Sequence, residues 1–147
     1  IKPGSHAQAM QLADAAGLAF QTTNILRDIQ EDARLGRVYV PAALLAEHGL
    51  DESGFLAVRN PAACLAVLTR LIDRASQQYR VAEGLLDLID PNCSAAYFGM
   101  HTMYRRVLEL IARDPLAALR GERVSIGKRV KLAIAGRALL KSWTAGR

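Results

Sequence analysis

Gln21, Asn24, Asp28 and Asp32 follow one another at steps of three, four and four. On an α-helix that spacing sets four oxygen-bearing side chains along one stripe about three turns long. Two carboxylates one turn apart suit a hard divalent cation, because Mg2+ takes oxygen ligands and usually keeps water and substrate phosphate in its shell. Beyond the stripe stand Arg34 and Arg37, cations placed to meet an anion that such a metal brings. A metal-bridged diphosphate is the simplest ligand that uses both halves. An acidic pair on a helix is more often a solvated face. Here, however, the stripe begins in the apolar run Gly17-Leu18-Ala19-Phe20 and sets uncharged amides beside its carboxylates, which suits a metal site better than a solubility face.

The neighbours of the stripe carry two readings each. Gly17 costs a helix about 1 kcal/mol relative to Ala, and close helix packing explains it as well as substrate clearance does. Arg27 reaches either a phosphate or Glu31, its partner at i,i+4. Tyr39 either anchors the loop or lends its hydroxyl to a diphosphate. Tyr104 lies on an apolar stripe, where core is the default. His6, His48 and His101 have no spaced partner for a zinc site and read as surface or capping residues. Met100 and Met103 read as core filler. Neither a nucleophile–His–acid arrangement nor a Gly-rich nucleotide loop is visible.

The run from Gln21 to Pro41, Q-T-T-N-I-L-R-D-I-Q-E-D-A-R-L-G-R-V-Y-V-P, closely resembles the second aspartate-rich motif of the squalene/phytoene synthase family. The likeness continues through Ala42-Ala43-Leu44-Leu45, resumes at Tyr104-Arg105-Arg106-Val107-Leu108 and closes with Arg123 to Leu132. It implies an all-α helical bundle, part of the class I terpenoid synthase fold. It also implies a prenyl transferase that joins two prenyl diphosphates, farnesyl or geranylgeranyl, head to head through a cyclopropyl diphosphate in squalene/hopanoid or carotenoid synthesis. By the same resemblance Asp28 and Asp32, with Asn24, hold Mg2+; Gln21, Arg37, Tyr39 and Arg123 meet substrate; and Tyr104 faces the cavity with Asp28 and Asp32 as a catalytic group. Family members carry another D-x-x-x-D motif on an earlier helix. Asp87 and Asp90 are a poor copy of it, since Asp90 precedes Pro91 and reads as a helix terminus. The expectation is therefore one helical domain, residues 1–147, forming the carboxy-terminal half of a longer enzyme and inactive alone. The rival expectation is a non-catalytic family-derived domain that binds a partner or a membrane.

At 147 residues, about half apolar and poor in aromatics, the chain can bury a real core and favours helices over sheets. It contains no apolar run long enough to span a membrane, and its opening Ile1-Lys2-Pro3-Gly4, without a hydrophobic segment, leads to the expectation of no secretory leader. Cys64 and Cys93 are too few for a disulfide framework and fit idle thiols in a reducing cytoplasm. From Arg113 onward the chain carries nine Lys or Arg against Asp114 and Glu122, a local balance of +7 within a total of +5. A basic end suits an anionic substrate or the inner face of a membrane. Nucleic acid ranks last, because only Trp143 offers an aromatic there for base stacking.

Five helices are expected. Ser5 with Gln8 reads as a capping box opening a nearly fully buried helix to about Asp32. Gly36 permits a turn. Pro41 fits the first turn of a short helix that Gly49 ends, followed by a polar, irregular stretch over residues 51–59 with room for one turn of helix. Asn60-Pro61 starts a helix running to about Ile89, with Leu65, Leu68, Ile72, Ala75, Tyr79, Ala82 and Leu86 facing the core. The fourth covers about Ser94 to Ala112. The last, from Ile126 to about Trp143 and capped by Ser125, is basic and amphipathic. It is expected to touch a membrane peripherally as well as to pack, and apolar surface elsewhere is expected to promote self-association.

Overall fold

The structure is a computed structural model. It describes residues 1–122 and 124–145, with the side chains of 92 and 139–145 outside the description. Six α-helices follow in order: α1 His6–Arg34, α2 Ala42–Glu47, α3 Glu52–Leu56, α4 Pro61–Ala82, α5 Pro91–Arg113 and α6 Lys128–Ala145. Two 3-10 turns, Glu83–Asp87 and Pro115–Ala117, join the later helices. Among the described residues there is no strand, so the fold is all-α as expected. No described helix is long and apolar enough to cross a membrane.

Local signals set most boundaries. Asn60, extended at φ −126°, accepts from the Ala63 amide at 3.2 Å, and Pro61 begins α4. α1 and α2 both end in Schellman motifs closed by glycines at positive φ, Gly36 at 72° and Gly49 at 68°. In α2 the Leu50 amide returns to the Leu45 carbonyl at 2.9 Å and Gly49 to Ala46 at 3.0 Å. Within residues 51–59 the one helical turn that the sequence allows does form, as α3. Asp51 caps α3 by accepting from the Gly54 amide at 2.6 Å, and the single turn drives Phe55 fully into the core.

Several boundaries and faces differ from the sequence expectation. No capping box opens α1, because the Ser5 hydroxyl donates backward to the Lys2 carbonyl at 2.7 Å. Pro41 is the cap residue before α2 and not its first turn. α4 stops at Ala82 and tightens into a 3-10 turn. Its buried face is Cys64, Val67, Leu68, Leu71, Ile72, Ala75, Tyr79 and Ala82, while Leu65 is exposed and Leu86 half-buried. α1 is not nearly fully buried: Ala9, Ala15, Ala16, Ala19, Thr23, Leu26 and Ile29 pack inward, but Met10 and Leu18 are about half exposed at 49% and 51%. Among the described elements α1 meets α4, α5 and the first 3-10 turn, which cover one side of it only.

The main core joins α1 to α5, while Ala15, Ala16 and Ala82 form a smaller cluster of their own. Leu26 and Ile29 from α1 meet Leu68, Leu71, Ile72 and Tyr79 from α4, Val107, Leu108 and Ile111 from α5, and Phe55 from α3. A polar thread runs through it. The buried Thr23 hydroxyl donates to the Ala19 carbonyl at 2.8 Å, and its oxygen lies 2.9 Å from the Tyr79 hydroxyl. Thr23 has one hydroxyl hydrogen, so Tyr79 is the donor across the helices. Burial pushes the Tyr79 phenol up to about 12. Tyr97 similarly donates to the Ala82 carbonyl at 2.9 Å.

His101 is buried, contrary to the surface reading. Its Nε2 lies 3.2 Å from the Tyr79 carbonyl, and its ring stands edge-on to Tyr79. Desolvation lowers its pKa below the ordinary histidine value despite that bond. The neutral ring is thus favoured in the folded chain, so the unfolded chain takes up the proton first as pH falls. Stability should be level above the unfolded pKa of about 6.5 and decline below it. Urea midpoints measured from pH 7.5 to 5 check this; His101→Gln should flatten that segment of the profile, and an unchanged slope would remove His101 as its source. His48 is half-buried with Nε2 shielded and unpartnered, again not a simple surface residue. Cys64 is buried and Cys93 exposed, both as free thiols.

Candidate functional site

The polar stripe forms as its spacing dictates, on the second half of α1. Gln21 is exposed, whereas Asn24, Asp28 and Asp32 are each half-buried. Asn24 Oδ1 is shut off from solvent with no hydrogen-bond partner, an uncommon condition for a polar atom. Asp28 is held by the neighbouring Arg27 through two bonds, Nε to Oδ1 at 2.8 Å and Nη2 to Oδ2 at 2.6 Å. Arg27 therefore takes neither of its expected partners: it pairs with Asp28, not Glu31. That bond, and more weakly the Tyr104 hydroxyl, hold the guanidinium pKa above its ordinary value against the opposing effect of burial.

The Schellman turn at the end of α1 folds the cationic loop back on the stripe. The Arg37 amide donates to the Asp32 carbonyl at 2.9 Å and the Gly36 amide to Ala33 at 3.0 Å. Asp32, Arg37 and Tyr39 then share a small recess with Ile25, Ile29 and Val40. Arg37 and Tyr39 stay exposed, free to turn toward a ligand. Arg34 goes elsewhere: its guanidinium lies beside the Gly121 turn, 3.7 Å from where a Cβ on that glycine would stand.

A larger cleft of about 290 Å3 opens on the other flank of Arg27. Its lining combines Arg27 and Lys131 with Tyr104, Ser125 and the apolar side chains of Met103, Val107, Val124 and Ile126. Tyr104 also packs on Phe20, ring centroids 5.0 Å apart, and Phe20 in turn meets Tyr79 at 5.9 Å. Tyr104 thus satisfies both readings, one side against the core and one toward a cavity. Arg123 lies outside the described residues. The structure brings together Asp32, Arg37 and Tyr39 on one side of the stripe, and Arg27, which grips Asp28, with Tyr104 on the other.

Among the described residues no cluster of three or more His, Cys, Asp or Glu could hold a metal. What the stripe offers is two carboxylates and an amide oxygen, an all-oxygen set short of a full shell. That set fits a hard cation completing its coordination with water and phosphate, not zinc, and the unpartnered Asn24 Oδ1 fits it as a third oxygen donor.

The description of the squalene/phytoene synthase family matches residues 2–130. The chain belongs to the squalene/phytoene synthase family. Among curated relatives it is 37% identical over 139 residues to a phytoene synthase of Mycobacterium tuberculosis, covering 91% of this chain and 45% of that protein. A phytoene synthase of Pseudescherichia vulneris is 36% identical over 120 residues, 81% of this chain and 39% of that one. A presqualene diphosphate synthase of Rhodopseudomonas palustris is 34% identical over 128 residues, 87% of this chain and 46% of that one. The chain spans about half the length, or less, of these relatives. The matched region of the family includes the stripe, the Arg37–Tyr39 loop and all the residues lining the cleft but Lys131.

Sequence reasoning missed Lys131 and Ser125 as cleft residues. Lys131 was one of several cations on a basic helix, and spacing alone gave no reason to separate it from Lys128 or Arg129. Thr23 and Tyr79 were also missed as a pair, for they stand 56 residues apart and carry no local signal.

Proposed function

We propose that this chain supplies the second metal-binding wall of a prenyl transferase that condenses two prenyl diphosphates head to head through a cyclopropyl diphosphate, in squalene/hopanoid or carotenoid synthesis. The observation that carries the reading is the stripe of Asn24, Asp28 and Asp32 on α1 with Arg37 and Tyr39 folded back beside it. The names borne by relatives of this family, phytoene synthase and presqualene diphosphate synthase, support the reaction class. Asn24, Asp28 and Asp32 would hold Mg2+, with Gln21 at the head of the stripe. When bound, the ion neutralises a leaving diphosphate so that an allylic cation can form.

The remaining work falls to side chains. Arg37 and Arg123 bind diphosphate oxygens as forked donors, and the Tyr39 hydroxyl adds a further donor. Tyr104, resting on Phe20, orients the substrate's hydrocarbon at the cleft. The apolar lining from Met103, Val107 and Ile126 excludes water that would quench a cation. No covalent nucleophile is required. The test is incubation of the full-length protein with farnesyl or geranylgeranyl diphosphate and Mg2+, followed by mass spectrometry. A C30 or C40 product, or its cyclopropyl diphosphate precursor, supports the reading, and unconsumed substrate sinks it. The 147-residue chain alone should leave both substrates untouched, since its relatives use about twice this length of chain; turnover by the isolated chain would refute that part.

The same proposal includes a cytoplasmic enzyme in peripheral contact with the inner face of the membrane. Lys128, Arg129, Val130, Lys131 and Leu132 are all exposed at the start of α6, Leu132 at 72%, an arrangement that suits anionic headgroups. Leu140, Lys141 and Trp143, which the sequence reading also placed on this helix, have side chains outside the description. Ile134 of α6 is buried, as is Ile126 just before the helix, so α6 packs through Ile134 and leaves its first cations outward. Liposome co-sedimentation should show binding to anionic vesicles that falls as salt rises; equal, salt-indifferent binding to neutral vesicles would leave α6 a packing helix only. Exposed Met10, Leu18, Val81 and Met100 support self-association of the isolated chain.

A further inference from the structure

Gln30 stands two residues beyond Asp28, and therefore on roughly the opposite side of α1 from it. Its amide reaches two segments that are far apart in sequence. Nε2 donates to the Leu119 carbonyl at 2.7 Å and to the Leu56 carbonyl at 3.3 Å. An amide NH2 carries two hydrogens, so one side chain fastens both the end of α3 and the strap of residues 114–122 to α1. Nearby, a Cβ on Gly121, whose φ is +75°, would stand 3.9 Å from Gln30 Cβ and Cγ, so strap backbone lies close over the Gln30 stem.

The strap's other contacts do not do what the amide does: its backbone hydrogen bonds run within it, save the Asp114 amide to the Ile111 carbonyl at 3.2 Å, which only continues α5 into it. Arg120 pairs with Asp114 and Glu122, each at 2.6 Å, but all three residues belong to the strap, so these pairs shape it without tying it to a helix. Ala117, Ala118 and Leu119 are buried. Apolar burial is non-directional and holds the strap down without fixing its height or rotation. Hydrogen bonds are directional, and the Gln30 pair supplies that direction. Just past the strap, Val124, Ser125 and Ile126 form part of the cleft lining shared with Arg27 and Tyr104.

We propose that Gln30 is a positioning residue: by clasping Leu119 it sets the strap, and through the strap the wall of the cleft that receives the substrate. The role of the wall rests on the prenyl transferase reading; the clasp itself does not. Gln30 touches no reacting atom in this scheme. Glutamate at this position has the shape but no donor, and methionine has the length but neither hydrogen.

The test uses the full-length protein with Gln30→Met and Gln30→Glu, and Ile72→Val in the α4 core as a control that loosens packing without touching the strap. Trypsin cleavage after the exposed Arg120, mapped by mass spectrometry without any ligand, reads the clasp. Both Gln30 variants should be nicked there about tenfold faster than wild type, and the control should not. Steady-state kinetics read the wall: KM for the prenyl diphosphate should rise about fivefold or more, with kcat within twofold, for the Gln30 variants only. Unchanged nicking in a folded Gln30 variant overturns the clasp. Faster nicking with unchanged KM overturns the positioning role and leaves Gln30 structural. Should Gln30→Met not fold, Gln30→Glu decides alone, its added charge being accommodated at a half-exposed site. A wild type without turnover fails the transferase reading, and the nicking comparison still decides whether Gln30 clasps the strap.

Discussion

Replacing Asp28 with alanine is expected to cut prenyl diphosphate turnover by the full-length enzyme by a factor on the order of 10²–10³ or more, while barely moving its urea midpoint. The two halves of that expectation come from different observations. Asp28 occupies the third place in the stripe, one turn from both Asn24 and Asp32, so removing it deletes an oxygen from the middle of the donor set. Among the described residues it is held by Arg27, in an ion pair whose side chains remain 32% and 29% exposed. Pairs in such partly solvated places contribute about 0–1 kcal/mol to stability. A carboxylate kept half-buried for so little stability is better explained by a ligand than by the fold. The measurement is kcat at saturating Mg2+ beside a denaturation curve. Wild-type turnover refutes the role; a large loss of stability refutes the argument from Arg27.

Phe55→Ala is expected to have the largest effect on stability, about 3–5 kcal/mol, a large share of the 5–15 kcal/mol typical of whole domains. Phe55 is fully buried among α1, α4 and α5 residues although it sits in a helix of only 5 residues. Besides backbone turns and the buried Leu45 and Leu50, its segment is held by the Asp51 cap, the Gln30 bond to Leu56 and the Cys64 thiol, which donates to the Phe55 carbonyl at 3.8 Å. Truncation should therefore both open a cavity and release the α2–α3 segment from the core. Chemical denaturation of the purified variant checks this, and a loss below about 1 kcal/mol would mean that the site collapses around the gap.

What could be read from the sequence was what short-range chemistry decides. The stripe on α1, the Asn60-Pro61 start and the glycine turns at 36 and 49 need only neighbours a few residues away, and each formed. The faces of the helices were harder, because a 3.6-residue period allows two adjoining stripes and the partner selects one. On α4 the selection moved burial from Leu65 and Leu86 toward Cys64, Val67 and Leu71. Met10 and Leu18 on α1 show the same limit, being apolar yet exposed. Tyr79 was legible as a core residue, but His101 was not, because its burial depends on a contact between α4 and α5 that brings it within bonding distance of the Tyr79 carbonyl, 22 residues away. In the candidate site, the residue types were legible and their pairing was not: Arg27 chose the adjacent Asp28 over Glu31, and Arg34 left the loop for the turn at Gly121.

The Schellman turn at Gly36 makes handedness at one carbon a control over the site. Nothing lies within 4 Å of where a side chain on Gly36 would begin, so crowding is no obstacle there and only the left-handed backbone is. An L-alanine would strain that turn by about 1–2 kcal/mol and pull the Arg37 amide from the Asp32 carbonyl. A D-alanine, introduced by chemical ligation, meets the same empty space with the opposite stereochemistry. It should keep the cationic arm docked and stiffen it by narrowing the unfolded chain's choices. Two mirror-image substituents of identical size would thus separate the geometry of the arm from its bulk.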